Sequence, residues 1–288
     1  MTPLELLERW VSERASEEAL HWLSEQRKAL AESYSDRKFH IAFGMMPRRL
    51  GKSDLALSES ELELAETARA GWNPRHWSIA EAARILLLIE TDTRANEAFA
   101  NRFKDLCKTA DVAEAITLYR GLALYPEFQQ LEPQAGEGLR TNIRTVFEAV
   151  AHENPFPREV FDQDRWNHMV LKALFVDSPL APIDGLDERA NPELARIMCD
   201  YAHERWAASR PVSPELWRCV GPFAEGAMLD DLARAYGSDN DNEARAAALA
   251  LLAAGSSAAD TVLATRPEIE QAARAGTYTW NDIAHALA

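Results

Sequence analysis

The chain has 288 residues, with 31 lysines and arginines against 46 aspartates and glutamates, a formal net charge of −15. It is long enough to bury a large core, and with 47% hydrophobic and 27% charged residues it reads as a globular protein that folds in water. The acidic balance argues against a nucleic-acid partner, because phosphate binding needs a basic face. The three cysteines, Cys107, Cys199 and Cys219, form no CxxC pair and predict reduced thiols.

The opening segment, MTPLELLERW, has neither the basic start nor the apolar run of a signal peptide. The longest apolar runs, such as Ile85 to Ile89, fall far short of the ~20 residues that span a bilayer, so no integral membrane segment is expected. Cytoplasm is the expected compartment.

Helical periodicity runs through nearly the whole chain. Thr2-Pro3 predicts an N-cap with proline at the first helical position, followed by Leu4, Leu7 and Val11 on one face. Ser16 predicts the start of a second helix carrying Leu20, Leu23 and Leu30. The segment Arg37 to Lys52 gathers five basic residues, and its apolar middle is broken by Gly44 and Pro47. It reads as a loop that could hold an anion on Arg37, His40, Arg48, Arg49 and Lys52, since clustered guanidinium groups suit phosphate or carboxylate. The same groups could instead dock against an acidic helix of the chain.

Three capping boxes follow: Ser58 with Glu61, Ser78 with Glu81, and Asp111 with Glu114. Arg120 is the only charge in the apolar run Ala115 to Tyr125, so a carboxylate or carbonyl partner is expected. The next helix is expected over Leu139 to Glu153, with Arg140, Arg144, Glu148 and His152 at intervals of four on its polar side. The stretch HENPFPREVFDQDRWNH, His152 to His168, begins like a zinc-protease HExxH motif but lacks the second histidine, and Pro155 forces Asn154 out of helical geometry. It reads as a helix–corner–helix junction. If the protein were an enzyme, Glu148, His152 and His168 would be its acid/base candidates.

Asn191-Pro192-Glu193 and Ser213-Pro214-Glu215 are further helix starts. Between them, Cys199 and His203 lie four apart, but two ligands do not close a metal shell. Asp230-Asp231 lacks the third aspartate of a DDxxD motif, because Arg234 stands in its place. No metal or cofactor is expected. After Pro222, short alanine-rich segments (227–236, 243–254, 258–264 and 267–275) suggest stacked helix pairs. No segment alternates like a strand. The fold class is all-α, a helical array with HEAT-like, α-solenoid character clearest towards the C-terminus, with a compact bundle as the rival.

Several blocks resemble the EboA family: FHIAFGMMPRRLGK (39–52), TLYRGLALYP (117–126), TNIRTVFEAVAHENPFP (141–157), WNHMVLKALF (166–175), GLDERANPELARIMCDYAHERW (185–206) and ELWRCVGPF (215–223). The resemblance sets an expected division into a family-like helical domain, 1–223, and an alanine-rich extension, 224–288, packing on it as one unit. It implies bacterial and plastid gene clusters whose neighbours look like a prenyltransferase, a sugar-phosphate cyclase, a metal hydrolase, a sugar isomerase and a phosphatase. Such clusters are linked to a small secondary metabolite and to export of a pigment precursor. The family carries no established catalytic residues. The expected function is a non-catalytic accessory or scaffold protein, binding another protein of the cluster or a small anionic or prenylated metabolite. The alternative is an enzyme acting on a phosphorylated or prenylated, cyclitol-like intermediate.

Overall fold

A computed structural model describes residues 1–92 and 98–286. Among these residues the regular structure is helical, and a lone antiparallel bridge between Asp54 and Ser78 is the one β feature. The all-α expectation holds. By contacts the chain divides into two compact units, Met1–Phe161 and Asp162–Ala288. The boundary expected near Phe223 falls within the second of these.

The first unit contains α1 (Pro3–Arg14), α2 (Glu17–Glu32), α3 (Asp36–Arg49), α4 (Glu59–Ala68), α5 (Ile79–Glu90), α6 (Phe99–Thr109), α7 (Val112–Arg120), α8 (Glu132–Arg140), α9 (Arg144–Ala151) and α10 (Phe156–Val160). Helix α5 lies at its centre: Ile79 and every residue from Ala82 to Leu88 are buried, and α1, α3 and α7 pack around it. A helix that is apolar nearly all round must be covered on every side. The caps are those that the sequence predicts. Thr2, Ser58, Ser78 and Asp111 each form a full capping box, and Ser16 accepts the Ala19 N–H.

Two expectations about local structure are corrected. The segment expected to break at Gly44 and Pro47 is the continuous helix α3. Proline at 47 has no N–H to offer the Phe43 carbonyl, which would otherwise stay unpaired. That carbonyl instead accepts Arg84 Nε at 2.9 Å, from α5. Arg84 is buried, lies over the Phe43 ring at 4.9 Å and reaches Glu114 at 3.5 Å. The helix expected over 139–153 is two helices, with Thr141 accepting the Ile143 N–H at the break between α8 and α9. Glycine at 138 permits that close packing, because a Cβ there would lie 2.8 Å from the Tyr119 ring and 2.9 Å from Val150.

The second unit contains α11 (Gln163–Phe175), α12 (Pro192–Ala207), α13 (Leu216–Val220), α14 (Ala227–Tyr236), α15 (Asp241–Ala254), α16 (Ser257–Leu263), α17 (Pro267–Arg274) and α18 (Trp280–His285). Asn191 caps α12 as expected. Glu215 does not act as a helix-end carboxylate. It is buried and accepts the backbone N–H groups of Leu180 (3.1 Å) and Ala181 (2.7 Å), tying down the 178–185 loop, while α13 starts one residue later. Helix α15 is the hub, in contact with α13, α14, α16, α17 and α18. Its Ala244, Ala246, Ala247, Ala248 and Ala250 are fully buried, so the neighbouring helices approach its backbone.

One such approach to the α15 backbone is at Gly221, where an added Cβ would sit 2.7 Å from the Ala250 carbonyl oxygen and 2.8 Å from its Cα. Backbone cannot swing aside as a flexible side chain does. Gly221→Ala is therefore expected to destabilise the protein by at least about 2 kcal/mol, read as a lower urea midpoint with circular dichroism.

Candidate functional site

A cleft of about 340 Å³ opens in the first unit where the start of α5, the end of α7 and the polar side of α9 meet. Its lining comprises His76, Trp77, Glu81, Ile116, Arg120, Thr145, Glu148, Ala149, His152 and Glu153.

Each side of the cleft is held for a local reason. Glu81 is the N3 residue of the α5 capping box, and its Oε2 accepts from Ser78 N at 2.7 Å and Ser78 Oγ at 2.8 Å. Its Oε1 lies 2.7 Å from Arg120 Nη1, which also donates to the His76 carbonyl at 2.9 Å. Arg120 thus has the acidic and carbonyl partners that its apolar setting predicts. Its side chain is 29% exposed, because it stands at the cleft wall.

On the third side, α9 ends at Ala151, and His152 is its C-cap in extended geometry. The corner is pinned by Asn154, which is buried. Its Oδ1 accepts the Phe156 N–H at 3.1 Å, and its Nδ2 donates to the Tyr119 carbonyl at 3.1 Å. The stretch from His152 is the helix–corner–helix junction that the sequence predicts, and it also places Glu153 at the cleft. Glu153 adopts a left-handed backbone with φ of 52°, a conformation that costs a non-glycine residue energy and recurs at functional sites. Asn73 holds it twice. The Asn73 backbone N–H donates to the Glu153 carbonyl at 3.2 Å, and Asn73 Nδ2 donates to Glu153 Oε1 at 3.1 Å. His76 Nε2 stands 3.8 Å from the same oxygen. Burial pushes the Glu153 carboxyl above its ordinary value, although His76, Arg120 and Arg75 pull the other way.

Of the acid/base candidates, Glu148 and His152 line this cleft, and Glu148 Oε1 lies 2.7 Å from Arg144 Nε one turn earlier. His168 is exposed on α11 of the second unit and is not among the lining residues. The basic candidates Arg37, His40, Arg48, Arg49 and Lys52 are all exposed along and just beyond α3. Arg49 lies over the Trp22 ring at 5.9 Å. A larger and more open cleft of about 460 Å³ lies between α2 and α5, lined by Ser24, Arg27, Lys28, Ala31, Leu87, Glu90 and Thr91. Its Arg27 is already bonded to Glu8 and Glu90. None of the five basic candidates lines either cleft. His76 and Glu153, which were not among the candidates, sit in separate parts of the chain, and no spacing rule connects them.

In the second unit, Cys199 and His203 converge on one carboxylate. His203 Nε2 lies 2.7 Å from Asp231 Oδ1, and burial beside Asp231 pushes the Cys199 thiol up to about 12. Such a thiol stays protonated and unreactive at neutral pH. Among the described residues, no group of three or more His, Cys, Asp or Glu side chains is placed to hold a metal ion, and no helix is long and apolar enough to cross a membrane.

The sequence profile of the EboA family, described as metabolite traffic protein EboA, matches residues 3–221. The chain belongs to the EboA family. No curated protein and no solved structure matches it. The match takes in every residue that lines the cleft and ends beside Gly221, so α14 to α18 lie beyond it.

Arg120→Ala should cost about 1–2 kcal/mol in urea unfolding rather than the ~3–5 kcal/mol of a fully buried pair, because water reaches Arg120 and Glu81 keeps its bonds to Ser78. Glu153 gives a pH signature. Folding favours its protonated form, a contribution fully present below the ordinary value of 4.5 and lost as pH rises through the raised folded value. Glu153→Gln should therefore be more stable than the wild type at neutral pH, with the gap closing towards pH 4.5 and below. Denaturant titrations across that range check the sign.

Proposed function

We propose that this EboA-family chain is a non-catalytic accessory protein that binds a small intermediate of a secondary-metabolite pathway and hands it on for biosynthesis or export. The observation that carries this is the cleft at Arg120 and Glu153, where donors, acceptors and apolar groups converge on a space of ligand size. The family's description as metabolite traffic proteins agrees with it. The gene neighbours that the resemblance implies support a prenylated, cyclitol-like precursor as the pathway compound and other proteins of the cluster as the partners, and the lone cysteines, read as reduced thiols, support the cytoplasm as the place of action. The short helices α14 to α17 are read as a HEAT-like stack offering those partners a surface. The exposed basic residues of α3 could add a contact for an anionic group.

One observation favours the enzyme as a second reading. Glu153, with its raised carboxyl, stands beside His76, and such a pair could move a proton. Against it, Arg120 and Glu148 are occupied by partners of their own, and no nucleophile with an adjacent base lines the cleft.

Capture from a small-molecule extract of a strain carrying the gene cluster separates the two. The full-length protein should enrich one compound over a Thr145→Phe variant, which puts a large ring into the cleft, and should release that compound chemically unchanged. Conversion of the compound, abolished by Glu153→Gln, would establish the enzyme instead. Equal recovery by wild type and variant would remove the cleft as the binding site.

A further inference from the structure

The charges around the Arg120 cleft are matched internally, and this restricts what the cleft can hold. Its lining arginine already shares its charge: Nη1 of Arg120 is bonded to Glu81 and to the His76 carbonyl. Glu81 is spent in turn on Arg120 and Ser78. Glu148 is paired with Arg144 at 2.7 Å. Glu153 is the exception: its polar neighbours are Asn73 Nδ2 at 3.1 Å and His76 Nε2 at 3.8 Å, with no arginine or lysine in bonding range among the described residues.

Three classes of ligand meet this lining differently. A phosphate or carboxylate would meet the uncompensated carboxylate of Glu153, while the one lining guanidinium already shares its charge with Glu81, and like charges in a sheltered cleft repel strongly. A cation would have to shed its water for a single unpaired carboxylate, since Glu81 and Glu148 already hold arginines. A hydroxyl carries no charge to bury. It can donate to a Glu153 oxygen and accept from an imidazole N–H in the same place. Trp77, Ile116 and Ala149 supply an apolar wall for the carbon skeleton, and about 340 Å³ is near the small end of the ~300–1,000 Å³ usual for ligand sites.

We infer that the cleft binds an uncharged, hydroxyl-bearing small molecule, with Glu153 and His76 as the pair that receives its hydroxyl groups. The inference rests on the reading of the cleft as a ligand site and narrows the ligand's chemistry. It departs from the anionic ligand that the basic cluster of α3 suggested: those arginines are elsewhere on the surface, and the arginine that is present already shares its charge with Glu81.

The test is nuclear magnetic resonance of the full chain, titrated in turn with myo-inositol, D-glucose and sorbitol as neutral polyols, inorganic phosphate as anion and putrescine as cation. At least one polyol should shift the Trp77, Thr145 and Ala149 resonances saturably, with a Kd in the millimolar range expected for a ligand of this size. Thr145→Phe should abolish the response, and Glu153→Gln should weaken it about 5–10-fold by removing a charged acceptor. Unchanged resonances of first-unit residues away from the cleft, such as Leu6, Leu23 and Phe39, will show that both variants are folded. Saturable shifts at these residues with phosphate or putrescine alone would overturn the ligand class while leaving the cleft a ligand site. Silence from all three polyols, while extract capture still yields a cleft-bound compound, would also overturn the class. Silence in both experiments would remove the site itself.

Discussion

The first unit depends on one carboxylate used from both ends. Glu81 turns one oxygen to the start of its own helix, where Ser78 would otherwise leave a donor unpaired, and the other to Arg120 at the end of α7. A local capping interaction becomes a tertiary joint, and the cleft lies against it. Removing Glu81 would cost a cap, commonly worth about 1 kcal/mol, and would also strand a half-buried guanidinium. The first loss would loosen α5 and the second would open the cleft wall.

Arg84 plays a related part deeper in the same unit. Proline at 47 withholds the hydrogen bond due to the Phe43 carbonyl, and the Arg84 guanidinium supplies it from the neighbouring helix. A helix that should weaken at its proline is thereby held to the core helix at that turn. The cost is a buried cation, offset by Glu114 and by the Phe43 ring beneath it. Both arginines join helices, but only Arg120 does so at a surface that a ligand can reach.

The cleft also explains why the basic cluster of α3 and the acid/base candidates part company. The cluster stands on one exposed helix, where its side chains reach into water. Glu148 and His152 share a wall with Glu153, because Asn154 pins the corner that follows α9 and Asn73 grips Glu153. The chemistry of the site therefore belongs to a corner and its clamp. That suits a protein that binds and releases a small molecule more than one that carries a strongly charged substrate.

Much of the helical framework was legible in the amino-acid sequence. Capping boxes at Ser58, Ser78 and Asp111, the Pro155 helix stop and the alanine-rich segments from 227 onwards all depend on residues within a turn or two of one another, where local sterics and hydrogen bonding decide the outcome. Arg120 could be seen to need a partner, since an apolar run around a charge implies one. Which partner it takes, the continuity of α3 through Pro47, and the meeting of His76 with Glu153 were decided by tertiary structure alone. Each depends on a group supplied from a distant segment, and no periodicity in a single chain records which distant segment will arrive.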